Sequence, residues 1–93
     1  MSDQKVLETG TFTATEQSDA VSVYGPFNIS LTGFGVATVM LQASFDEGVS
    51  WVDVQSFSGN APKLQGDEPE LGVLYRFNCT SYTSGAIAYR ISQ

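Results

Sequence analysis

The sequence predicts an all-β fold: a single small antiparallel β-sandwich of about seven strands, Ig-like or jelly-roll-like in kind. Three observations lead there. Apolar residues alternate with polar ones at a period of two in segment after segment. Gly, Pro, Asn, Asp and Ser clusters interrupt those segments at short, regular spacing. No stretch keeps the 3.6-residue apolar period long enough for a useful helix. At 93 residues the chain is one domain.

The elements follow in order. Met1, Ser2, Asp3, Gln4 and Lys5 are polar and predict a loose N-terminal arm, leaving 6–93 as the sandwich domain. The Thr-rich run from Val6 to Ala14 predicts a first strand, in which Gly10 marks a bulge or a close approach. Thr15 to Asp19 is a polar turn. Val21 to Tyr24 alternates as a second strand, and Gly25-Pro26 punctuates it. Phe27, Ile29 and Leu31 then share one face of a third. Gly33 and Gly35 mark a turn with Phe34 at its tip.

Val36 to Phe45 is a long strand candidate, with Val39, Leu41, Ala43 and Phe45 on one face. An acidic turn, Asp46-Glu47-Gly48, leads to a return strand from Trp51 to Phe57, apolar on both faces. Ser58 to Gly72, rich in Gly and Pro, predicts a long irregular connection carrying Asp67, Glu68 and Glu70 as a solvated acidic cluster. Val73, Tyr75, Phe77 and Cys79 mark one face of a strong strand. Ile87, Tyr89 and Ile91 mark the last.

Composition bounds the function. The net charge is −6, with Lys5, Lys63, Arg76 and Arg90 the only cations. Nucleic-acid binding needs several clustered cations against phosphates, so it is not expected, and anionic membranes are disfavoured for the same reason. A basic or neutral partner surface suits the chain. No apolar segment approaches the roughly 18 residues of a membrane span. The first residues have no apolar core of a signal peptide, which predicts assembly in a cytoplasm.

Histidine is absent, which removes Ser-His-Asp, Cys-His and His-containing zinc sets. Cys79 is alone and reads as a small buried hydrophobe. No phosphate-binding glycine loop with a following lysine occurs. No enzyme activity and no cofactor are expected. Asp67, Glu68 and Glu70 lack the spacing of a twelve-residue calcium loop.

The stretch Ser44-Phe45-Asp46-Glu47-Gly48-Val49-Ser50-Trp51 resembles the Asp-box pattern, Ser-x-Asp-x-Gly-x-Thr-Trp, with Ser50 where Thr is usual. Asp46, Gly48 and Trp51 are then turn-structural. The carboxylate accepts turn N–H groups, Gly tolerates positive φ, and the ring packs on the hairpin. A calcium or sugar site at Asp46 and Glu47 is the alternative. In sialidases such hairpins recur on propeller blades, away from the catalytic site, and this chain has one copy.

Two further stretches, with that hairpin, resemble the short structural proteins of tailed bacteriophages and prophages. Tyr24-Gly25-Pro26-Phe27-Asn28-Ile29-Ser30-Leu31 matches a GPF-N-hydrophobic opening. Pro69-Glu70-Leu71-Gly72-Val73-Leu74-Tyr75-Arg76-Phe77-Asn78-Cys79-Thr80-Ser81-Tyr82-Thr83-Ser84-Gly85, with Tyr89-Arg90-Ile91-Ser92-Gln93 after it, carries a GVLYR-hydrophobic-x-CT-x-YTSG close. The likeness covers residues 24–93, and Glu47 stands where the family commonly has Gly.

The resemblance implies a virion component without catalytic residues, foremost a capsid decoration or cement protein. Its partners would be the major capsid protein or copies of itself. The contact candidates are Met1 to Lys5, Phe34 and the acidic residues Asp67, Glu68 and Glu70. A tail, neck or head-fibre piece is the nearer alternative. A carbohydrate-binding module, stacking sugar on Trp51, Tyr82 or Phe34, is the alternative of another class.

Overall fold

A computed structural model describes residues 6–93. The expected arm, Met1 to Lys5, lies outside the described residues. The fold is all-β and antiparallel, as the patterning predicts, with no helix among the described residues.

Six strands form one sheet. They are β1 (Val6–Phe12), β2 (Val21–Phe34), β3 (Ala37–Ser44), β4 (Val52–Phe57), β5 (Ala61–Tyr82) and β6 (Gly85–Ser92). Their order across the sheet is β1-β6-β2-β5-β3-β4. The count differs from the expected seven because Gly25-Pro26 bends a strand instead of ending it. The segments Val21–Tyr24 and Phe27–Leu31 are thus two halves of β2.

A second difference concerns Ser58 to Gly72. Only its first residues form a connection, and from Ala61 the chain is already β5. Residues 61–68 pair with β2, through Leu31↔Ala61, Ile29↔Leu64, Phe27↔Gly66 and Gly25↔Glu68. The next pair is Val23↔Val73, so residues 69–72 bulge out opposite Tyr24. From Leu74 onward β5 pairs with β3, from Ser44↔Leu74 to Ala37↔Tyr82. Pro69 falls in that bulge, outside the ladder with β2.

The sheet curves enough to bring side chains of non-neighbouring strands together. Phe77 of β5 and Tyr89 of β6 are not on neighbouring strands, yet their rings lie 5.8 Å apart. Phe12 stacks on Tyr89 at 4.5 Å, and Phe27 meets Tyr75 at 5.0 Å. The Cα envelope measures 35 × 35 × 17 Å. The expected all-β antiparallel fold is thus present as one continuous six-stranded sheet.

Glu16–Ser18 closes one side. Ser18 N–H donates to the Phe77 carbonyl at 2.9 Å, and Cys79 N–H donates to the Glu16 carbonyl at 2.8 Å. The inward positions read from alternation are the buried ones: Phe27, Ile29 and Leu31; Val39, Leu41 and Ala43; Val73, Tyr75, Phe77 and Cys79; Ile87, Tyr89 and Ile91. Each such large apolar side chain contributes about 1.5–3 kcal/mol of burial free energy. Gly10 is the expected close approach. It pairs with Tyr89, and a Cβ there would sit 2.7 Å from the Tyr89 ring carbon Cζ.

Candidate functional site

The β3–β4 turn is built on Ser44 and Asp46. Ser44 is fully buried at the end of β3. Its hydroxyl donates to Asp46 Oδ1 at 2.8 Å and accepts the Gly48 N–H at 2.8 Å. Asp46 Oδ1 also accepts the Ser50 N–H at 2.9 Å, and Oδ2 accepts the Ser50 hydroxyl at 2.5 Å. Gly48 has φ 89°, a left-handed value that favours glycine. Glu47 adopts φ 61°, which a glycine would hold with less strain.

The carboxylate is therefore engaged by its own turn. The two hydrogen bonds from Ser50, and then that from Ser44, hold the Asp46 pKa at about 2 against an ordinary 3.8. The folded value lies below the unfolded one, so the stabilisation is complete above about pH 4. It is lost as pH falls through about 2. Melting temperature measured across this acid range should fall more steeply for the wild type than for Asp46→Asn. Parallel profiles would remove Asp46 from control of the turn.

Trp51 immediately precedes β4, with one face already covered. The Arg76 guanidinium lies 4.1 Å from its ring centroid. Arg76 Nε donates to Gln42 Oε1 at 2.9 Å, and Gln42 Nε2 donates to Asp53 Oδ1 at 2.9 Å. This chain of contacts ties β4 to β3 and β5 on the outer face. Burial lowers the Arg76 pKa, yet the guanidinium stays charged.

The acidic residues of the former loop separate. Asp67 and Glu70 are exposed, while Glu68 is only 7% exposed. Glu68 Oε1 accepts the Tyr75 hydroxyl at 2.6 Å, and Oε2 accepts the Glu70 N–H at 3.1 Å. The expectation of three solvated carboxylates is thus corrected at Glu68. That residue straps the β5 bulge to the core, and burial with the carboxylate pushes the Tyr75 phenol pKa up.

Phe34 ends β2 partly buried against the core, and its N–H donates to Asn60 Oδ1 at 3.0 Å. Its ring folds back and does not stand out at a turn tip. Tyr82 likewise packs against the core, its hydroxyl donating to the Gly85 carbonyl. Phe45, read on one face with Val39, Leu41 and Ala43, is exposed because the turn carries it past the end of the core.

Cys79 is buried, and burial raises its thiol pKa, as fits a structural residue. A cavity of about 150 Å³ opens between β4 and the first half of β5, lined by Phe27, Ile29, Leu41, Val54, Leu64 and Tyr75. Among the described residues no group of three or more His, Cys, Asp or Glu side chains is placed to hold a metal ion. No helix among them is long and apolar enough to cross a membrane.

Sequence reasoning missed one feature. Tyr24, Phe45, Val49 and Leu71 are all exposed, and all belong to segments that the register brings to one end of the sheet. The available signal was the apolar residue inside each turn, at Phe45, Val49 and Leu71. Comparison of the chain with family models, with curated proteins and with solved structures found no match in any of the three.

Proposed function

We propose that this chain is a structural protein of a bacteriophage virion, foremost a capsid decoration protein that binds the outer head lattice and stabilises it. The observation that carries the reading is how the polar groups in and beside the resembling segments are spent. Ser44, Asp46, Ser50, Gln42, Arg76, Glu68 and Tyr75 hydrogen-bond to their own fold. The exposed apolar side chains are then left as the material for contact. A rigid module with this surface works by being held, not by turning over a substrate.

Such a protein stabilises a shell by binding the expanded lattice better than the disassembled one. Repetition over many lattice sites makes a modest contact collectively large. The partners are the major capsid protein or copies of this chain in a lattice-matched oligomer. A tail, neck or head-fibre place is the second virion reading, separated from the first by copy number. Coverage of the Trp51 ring by Arg76 weighs against a sugar platform built on that residue.

The test adds purified protein to head shells that lack it. Saturable binding in many copies, with a higher disruption temperature of the shells, is the expected result. Shells that neither bind it nor gain stability remove the decoration role. The same titration with residues 1–5 deleted asks whether the arm contributes.

A further inference from the structure

We infer that the end of the molecule formed by the Phe45–Val49 turn, the bulge at residues 69–72 and Tyr24 is a docking surface for a basic protein surface bearing apolar side chains. The inference rests on the virion reading to the extent that the partner is then the outer face of the shell.

Register assembles this end. Ser44↔Leu74 sets the turn beside the start of the second half of β5. A methyl on Gly48 would lie 3.9 Å from Leu74 Cδ1. Val23↔Val73 and Gly25↔Glu68 set Tyr24 across from the bulge. Four large apolar side chains stand exposed here: Tyr24 at 55%, Phe45 at 59%, Leu71 at 74% and Val49 at 85%. None belongs to the core. Solvated turns seldom carry such residues together, and exposed apolar patches with polar rims mark contact sites.

The backbone that presents them is held in place. Asp46 and Ser44 brace the turn from inside, and Glu68 straps the bulge. Little ordering cost is then left for association.

Charge selects the occupant. Asp46, Glu47, Asp67 and Glu70 are exposed in the same segments, and residues 44–51 and 67–74 contain no Lys or Arg. A second copy docking end to end would set these carboxylates against themselves. Phosphate backbones and anionic lipid meet the same repulsion. A protein surface with Lys or Arg around apolar residues meets attraction at the rim and burial at the centre.

The test titrates head shells lacking this protein with the wild type and three double variants, each first shown by thermal melts to be folded. Phe45→Ser/Leu71→Ser removes apolar area. Glu47→Lys/Glu70→Lys reverses the rim. Thr11→Lys/Thr83→Lys adds charge at exposed positions elsewhere. The first two should each weaken binding by about tenfold or more, as loss of central interface contacts does. The third should bind as the wild type does, and wild-type binding should weaken as salt rises.

Equal binding of the first two variants and the wild type overturns the surface. Tighter binding of the charge-reversed variant, or salt-independent wild-type binding, overturns the basic partner. Absence of wild-type binding at any salt removes the virion reading, and this inference with it.

Discussion

Phe77→Ala is expected to lower the free energy of unfolding by about 3–5 kcal/mol, the range for truncating a fully buried ring. A domain of this length has a total of about 5–14 kcal/mol at 0.05–0.15 kcal/mol per residue. The variant should therefore sit at the margin of folding. Phe77 has no exposed surface, and its ring reaches Tyr89 of the non-neighbouring strand β6. Its backbone is held on both edges, by Leu41 of β3 on one side and by Ser18 on the other. Ser18 Oγ also accepts the Phe77 N–H at 2.9 Å. Neighbours pinned in this way cannot collapse into the space left behind, so the cavity term persists. Urea unfolding measures the loss. A cost below about 1.5 kcal/mol would mean that the site relaxes freely and that the core is centred elsewhere.

Much of this core is visible in the amino-acid pattern, and the reason is local. Phe27, Ile29 and Leu31 alternate with Asn28 and Ser30, so pleating alone sends the first set inward. The same holds for Val73 to Cys79 and for Ile87 to Ile91. Bends are harder to read. Gly25-Pro26 breaks hydrogen-bond regularity without reversing the chain, and local signals do not separate a corner from a turn. In β5 the run Lys63-Leu64-Gln65-Gly66-Asp67-Glu68 has too few apolar residues to show its pairing. What places it in the sheet is long-range. Gly66 lies opposite Phe27, and a Cβ at Gly66 would stand 2.8 Å from Phe27 Cε1. A glycine that reads as a breaker in isolation is there the floor on which a partner ring rests.

The functional residues divide on the same line. The β3–β4 turn was legible because all its partners lie within seven residues, from Ser44 to Ser50. The roles of Glu68 and Phe34 were not, because each depends on where a bend delivers it. Glu68 carries the charge of a surface residue but meets Tyr75 in the core. Phe34 sits between two glycines, yet Asn60, the Gly85 pairing and the core hold it in place. The exposed apolar end was hidden for the opposite reason. Tyr24, Phe45 and Leu71 come from three separate segments, and only the register makes neighbours of them.

Gly85→Ala should be the most damaging small substitution outside the core, costing at least about 2–3 kcal/mol through backbone strain and a backbone clash together. Gly85 opens β6 with φ 111°, outside the region that a side chain tolerates. A Cβ there would sit 2.9 Å from the Gly33 carbonyl oxygen and 3.1 Å from Gly35 Cα. These are backbone atoms of the neighbouring turn and cannot swing aside as a side chain would. Relief requires parting the Phe34↔Gly85 pair that ends the β2–β6 ladder. The adjoining bonds would go with it: Thr83 N–H to the Val36 carbonyl at 2.7 Å, and Val36 N–H to the Ser84 carbonyl at 3.1 Å. In a domain of this size the melting temperature should drop by roughly 10–20 °C. Amide exchange should quicken first at Val36 and Thr83. Gly59→Ala is the matched control, since Gly59 has no atom within 4 Å of an added Cβ and no left-handed φ. It should stay within about 0.5 kcal/mol of the wild type. If the two alanine variants melt together, the Gly33–Gly35 turn is not packed against Gly85, and the β2–β6 ladder ends before that pair.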